Sequence, residues 1–148
     1  MVQEQTALCL YMGAAFAFIF NERGEILLLR ENSRKKKYDW DMPGGTLEQE
    51  ETPLAGLHRE VREETGLAIE VLHPFCFLKW DRHESGHPIL VAFYVARLLS
   101  DDMKLSIEHV NHRWVGLEAL RAEDIKLPPG WESVEAAFKL YSSIKSHA

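Results

Sequence analysis

Residues 45–67, GTLEQEETPLAGLHREVREETGL, constrain the fold more than any other stretch of the chain. Thr52-Pro53 has the chemistry of a helix start, a hydroxyl that accepts from a free amide followed by a ring whose φ suits the first turn. Gly66 has that of a stop, because glycine enters the left-handed conformation at a helix end without strain. The signals predict a helix over 53–65. At about 100° per residue, Leu54, Leu57, Val61 and Thr65 fall on one side, expected to face a core, and Glu60, Glu63 and Glu64 gather on another. Carboxylates three and four positions apart repel by about 0.2–0.5 kcal/mol per pair. That face needs a counter-charge. Arg59 and Arg62 supply part of it, and hard divalent cations, which prefer oxygen ligands, are the specific remainder. A solvated acidic face is the commoner fate of such a run, so the surrounding pattern has to decide.

Around this helix the chain reads as strands. Asn21-Glu22-Arg23-Gly24 separates Ala14–Phe20 from Ile26–Leu29 as a hairpin turn. Residues 30–37 turn polar and basic, and Tyr38 to Gly45 leads through Pro43-Gly44-Gly45 as a loop approaching a sharp bend. Leu67–Leu72, Phe75–Trp80 and Ile89–Leu98 are β-branched and aromatic, with a turn at 83–88, and a further strand is expected around Arg113–Gly116. Val134, Phe138, Tyr141 and Ile144 describe one face of a helix over 131–146. Strands, helix, strands, helix make a mixed α/β layered domain.

The 148 residues suit a single domain, 1–148, with no interdomain linker. A net charge of −6 speaks against a stable nucleic-acid partner or an anionic membrane surface gripped by bulk electrostatics. Cys9 and Cys76 have no metal-ligand spacing and are too few for a disulfide framework, which implies a reducing interior. The apolar run from Ala7 to Phe20 falls short of the about 20 residues a membrane span needs, and no basic residue precedes it as in a secretory signal. A cytoplasmic protein is expected, with a homodimer left open.

Gly45, Glu51 after five residues, and after seven more Arg59-Glu60-Val61-Arg62-Glu63-Glu64-Thr65-Gly66-Leu67 match every fixed position of the Nudix box, G-x5-E-x7-R-E-U-x-E-E-x-G-U, where U is a bulky aliphatic. The chain therefore resembles the Nudix hydrolases, which include MutT-like nucleoside triphosphate pyrophosphohydrolases. Trp40 and Met42-Pro43-Gly44-Gly45 before the box, and Arg113-Trp114-Val115 after it, extend the likeness. The resemblance implies an α/β/α sandwich with a central mixed β-sheet, the box forming a loop, helix and loop on one flank.

It also implies roles. Glu60, Glu63 and Glu64 would ligate Mg²⁺ or Mn²⁺, joined by the carbonyl of Gly44, while Arg59 and Glu51 would orient the helix against its flanking loop. A fourth carboxylate usually lies outside the box. Glu108, in Glu108-His109 ahead of Arg113-Trp114, is the candidate for a metal ligand or general base, with Asp101 and Asp102 as rivals and Glu63 or Glu64 able to take the proton instead. Arg30 is the best single basic residue to reach a substrate phosphate ahead of Arg34, Lys35, Lys36 and Lys37, and Trp40, Tyr38, Trp80 or Phe93 could stack on a base. The histidines at 83, 87, 109 and 112 read as loop residues without a role.

The implied activity is metal-dependent hydrolysis of a diphosphate linkage in a nucleoside diphosphate joined to a moiety X. A nucleoside triphosphate is preferred and a diadenosine polyphosphate comes second. The proline or tyrosine that marks some subgroups beyond the box is absent at Arg82, His83 and Glu84. A non-catalytic ligand-binding or sensor module is the alternative from another class, disfavoured by the intact box. An isomerase of the same family would need a catalytic cysteine that neither Cys9 nor Cys76 suggests.

Overall fold

A computed structural model describes residue 8 and residues 10–31, 39–80 and 86–147, without the side chains at 76–80 and 110. The readings at Cys9, 34–38, 82–84 and the side chains of Cys76 and Trp80 lie outside the described residues. Strands β1 (Met12–Phe20), β2 (Ile26–Glu31), β3 (Gly44–Thr46), β4 (Ile69–Trp80), β5 (Ile89–Leu98) and β6 (His109–Val115) form one sheet. Helices α1 (Pro53–Thr65), α2 (Leu117–Ala122) and α3 (Trp131–Ser146) complete the chain. The sheet runs β4-β5-β1-β2-β6, with β3 also paired to β1. β1 and β5 are parallel and every other pair is antiparallel, so the sheet is mixed.

The unbroken apolar character of β1 follows from its central place, where both faces are covered and alternation gives way to a continuous run. Side chains alternate across a strand with a period of two. Ala15, Ala17 and Ile19, with Leu27 and Leu29, therefore share one core with Leu57 and Val61 of α1. Ala14, Phe18 and Phe20, with Ile26 and Leu28, share the other with Val134, Ala137 and Tyr141 of α3. Phe20 stacks on Tyr141 at 4.1 Å between centroids and meets Phe138 edge-on. The α/β/α sandwich is built by these two cores.

The ends of α1 form as their residues dictate. Thr52 Oγ1 accepts from the Ala55 amide, and Gly66, at φ 68°, donates its N–H to the Arg62 carbonyl.

Several elements differ from the sequence reading. Leu54 is 46% exposed, because the helix face toward the sheet is narrow and is filled by Leu57, Val61 and Thr65. The two strands expected over 67–80 are one long strand carrying two bulges opposite β5, which absorb Leu72 to Phe75 without ending it. β2 extends to Glu31, so Arg30 lies within the strand. β6 starts at His109, so His109 and His112 belong to a strand rather than a loop. β3 and α2, both short, are additional.

Phe20→Ala removes a ring held between two others and is expected to cost about 3–5 kcal/mol in urea unfolding, whereas Leu54→Ala should stay within about 0.5 kcal/mol. Equal losses at both positions would contradict the two-core packing.

Candidate active site

The site begins where one edge of β1 is divided between two partners. Phe20 pairs with Ile26 of β2, while Ala14, Ala15 and Phe16 pair with Thr46, Gly45 and Gly44 of β3. Ala17 donates its N–H to the Pro43 carbonyl, and Asp41 bridges to Leu29 through a pair of backbone hydrogen bonds. The segment 41–46 is thus laid between β1 and β2 and passes beneath α1. Only glycine permits this. Gly44 has φ 148°, and a Cβ on it would stand 2.2 Å from the Ala15 carbonyl oxygen and 2.6 Å from Phe16 Cα. A Cβ on Gly45 would stand 2.6 Å from Glu60 Cδ. The glycine backbone lies flush against the helix carboxylates, and the Gly44 amide donates to Glu64 Oε1 at 3.2 Å.

Arg59 organises the other side of α1. Its Nε and Nη2 donate to the two oxygens of Glu51 at 2.7 and 2.9 Å, and Nη2 also donates to the Thr46 carbonyl. Its Nη1 donates to Glu60 at 2.9 Å and to Glu63 at 3.1 Å. The hydrogen bonds from Arg59 hold the Glu51 carboxyl down at about 2, and Glu51 in turn raises the Arg59 guanidinium. Glu60 behaves oppositely. Burial raises its carboxyl above the ordinary range, against the pull of Arg59, and the charge of Glu63 adds to the rise.

A cleft of about 240 Å³ opens between these elements. It gathers Gly44, Gly45, Glu60 and Glu64 with Glu108, all named from the sequence. Glu63 is not among the lining residues; its side chain is 60% exposed and paired with Arg59. Arg59 and Glu51 stand behind the cleft wall rather than in it. Arg30 and Trp40 do not line the cleft. The Arg30 guanidinium lies 5.4 Å from the Trp40 ring centre, a cation–π pair next to the lining residues Glu31, Asp39 and Asp41. Asp101 lines a different groove with Asn21 and Trp114. Phe93 is buried in the α3-side core, as packing alone would have it.

Sequence reasoning missed four titratable lining residues, Glu31, Asp39, Asp41 and His109. No periodic signal marks them, since the Leu29–Asp41 bridge and the Glu31–His109 register bring them together across the sheet.

Six acids line this cleft, a concentration of negative charge of the kind that attracts a cation. The raised carboxyl of Glu60 records its burial above all, with the charge of Glu63 adding to it. The donors are hard oxygens, which suits Mg²⁺ or Mn²⁺. Among the described residues no three Asp, Glu, His or Cys side chains stand close enough to enclose an ion.

Fold and cleft together define an α/β layered domain with an acid-lined site at the edge of its central strand. The chain matches the NUDIX domain family over residues 10–137 and belongs to it, a family whose members generally use divalent metals and act on nucleotide-type compounds. It is similar to a "MutT-like protein" of Streptomyces ambofaciens, 41% identical over 69 residues that cover 47% of this chain and 43% of the relative. It is also similar to an "8-oxo-dGDP phosphatase" of Homo sapiens, 41% identical over 54 residues that cover 36% of this chain and 17% of that protein. The chain thus spans less than half the length of these relatives. Among solved structures, a MutT protein from Methanosarcina mazei Go1 superposes with a TM-score of 0.68 at 27% identity, covering 95% of this chain and 99% of that one.

Two outcomes test this geometry. Gly44→Ala forces both the left-handed φ and a backbone clash, so urea unfolding should show a loss of at least about 1–3 kcal/mol; a neutral substitution would contradict the close approach of β3 to β1. For Glu51 the folded carboxyl lies below its ordinary value of 4.5, so its contribution to stability is full above that pH and is lost as pH falls toward about 2. The urea-midpoint gap between wild type and Glu51→Gln should narrow across that window. A gap indifferent to pH would argue against the Arg59 clamp.

Proposed function

We propose that this chain, read as one domain over 1–148, is a Mg²⁺- or Mn²⁺-dependent hydrolase of a diphosphate linkage in a nucleoside diphosphate joined to another group. A nucleoside triphosphate is the favoured substrate class. The observation that carries the reading is the seating of Glu60 and Glu64 against Gly44 and Gly45 inside an acid-lined cleft. Glu60 and Glu64, with the Gly44 carbonyl and Glu63, would hold the cation. When bound, it would neutralise phosphate charge and acidify water.

The chain's own residues then divide the work. Arg59 holds Glu60 and Glu63 one helical turn apart despite their like charge, and Glu51 holds Arg59. Glu108, exposed on the turn at the cleft mouth, accepts the proton from the attacking water. Glu63 and Glu64 are the alternatives for that step. Water oxygen bonds to one phosphorus, the bridging P–O bond breaks, and the phosphate group leaves with the bridging oxygen. Beside the cleft, Arg30 is the residue to reach a substrate phosphate and Trp40 the one to stack on a base. Rate comes from positioning and charge stabilisation. The similarity to a protein named as an 8-oxo-dGDP phosphatase supports a nucleotide substrate.

The test is phosphate and pyrophosphate release over a panel of nucleoside triphosphates, diadenosine polyphosphates and nucleoside diphosphate sugars, with and without Mg²⁺. Turnover that needs the metal is expected. Glu64→Gln keeps an oxygen to accept from the Gly44 amide but loses the charge, so it should fold normally and lose at least about 100-fold in kcat. Undiminished turnover in that variant would sink the metal assignment. Ligand binding with no release from any compound would favour a sensor module.

A further inference from the structure

The segment between β5 and β6 is tied to the end of α1 by two backbone hydrogen bonds, Lys104 N–H to the Thr65 carbonyl at 2.8 Å and Ser106 N–H to the Glu64 carbonyl at 2.9 Å. It then turns back on itself. His109 donates its amide to the Ser106 carbonyl at 3.2 Å, which leaves Glu108 exposed at the cleft and sends the His109 side chain inward, where it is 7% exposed. Ser106 and Glu64 are among the imidazole's neighbours there. Nδ1 lies 3.0 Å from Ser106 Oγ, and Nε2 lies 3.5 Å from Glu64 Oε2. The other oxygen of Glu64 accepts from the Gly44 amide.

We infer that His109, oriented by Ser106, is a positioning residue that sets the carboxylate of Glu64 for divalent-cation binding. A carboxylate offers only acceptors, so the ring nitrogen that faces it has to carry the hydrogen. In a neutral imidazole the other nitrogen is then an acceptor, and the Ser106 hydroxyl, free to rotate, is the group that can donate to it. The opposite tautomer would set a nitrogen lone pair against the Glu64 oxygens. Ser106 thus selects the ring's tautomer and rotation, and the ring acts on Glu64. The terminal torsion of a glutamate is broad by nature. With β3 gripping one oxygen and His109 facing the other, that freedom is restricted before any ion arrives, so less order has to be imposed on binding.

This inference rests on the proposed metal-dependent activity, and its test separates the two. Mn²⁺ alone is titrated into the purified chain and free ion is followed by electron paramagnetic resonance, with circular dichroism melting as the check on folding. His109→Ala is expected to weaken Mn²⁺ binding by about 10–100-fold. His109→Gln, whose amide can donate in place of Nε2–H, should recover most of the loss, which a merely structural defect would not do. Ser106→Ala should weaken binding less, and the double variant should be no worse than His109→Ala because the two act in series.

A folded His109→Ala with wild-type Mn²⁺ affinity would overturn the inference while leaving the metal reading intact. Additive losses would overturn the part given to Ser106. Should His109→Ala fail to fold, Ser106→Ala decides, and unchanged affinity there counts against the pair. A wild-type chain that neither binds Mn²⁺ nor hydrolyses any nucleotide would overturn the activity itself, and this inference with it.

Discussion

The guanidinium of Arg59 is the interaction on which the arrangement of α1 and its flanking loop depends. A planar fork of five N–H donors can serve several acceptors at once, and here it reaches Glu51 twice, Glu60, Glu63 and the Thr46 carbonyl. Loop, strand β3 and helix are joined through one side chain. The same charge makes a helix with three neighbouring glutamates tolerable. Its reach stops at the outer wall, however. Glu60 is still driven toward its neutral form by burial, a demand on its charge that Arg59 does not cancel.

That demand is created by the sheet. β1 lends one edge to both β2 and β3, and the segment 41–46 fits between them only because Gly44 and Gly45 have no side chain to collide with Ala15, Phe16 and Glu60. A tightly packed central strand thereby acquires a notch at its edge, and the carboxylates of α1 are pressed onto backbone there. The two apolar cores on either side of β1 give the notch its rigidity. Stability and site share residues, since Ala15 belongs to the α1-side core and is also the nearest obstacle to a side chain at Gly44.

The charge of the chain takes on meaning in this setting. Residues 45–67 hold six acids, Glu48, Glu50, Glu51, Glu60, Glu63 and Glu64, against Arg59 and Arg62, so most of the net −6 is concentrated there. Glu31, Asp39, Asp41 and Glu108 add to it from other segments. An acidic protein first reads as a poor partner for phosphate. Under the proposed activity, a divalent cation in the cleft would turn the same patch into a place to hold a diphosphate.

Local chemistry was legible wherever neighbours in the chain are also neighbours in space. The cap at Thr52, the stop at Gly66, the alignment of Val134 with Tyr141 and the gathering of Glu60, Glu63 and Glu64 all follow from helical spacing, which the sequence carries by itself. Leu54 was misread because a helix wheel marks a side, not how wide the sheet beneath it is. β3 was invisible, since three residues that include two glycines carry no alternation and pair only because β1 offers an edge. Glu31 and His109 come together through the pairing of β2 with the distant β6, Asp41 joins them by its bridge to Leu29, and the imidazole acquires its meaning only beside Ser106 and Glu64. The sequence alone therefore determined the family, the α/β class and the helix carboxylates, because these depend on contacts within a few residues. The tertiary structure decided which of those carboxylates enter the cleft and what faces them, because that depends on the register of strands distant along the chain.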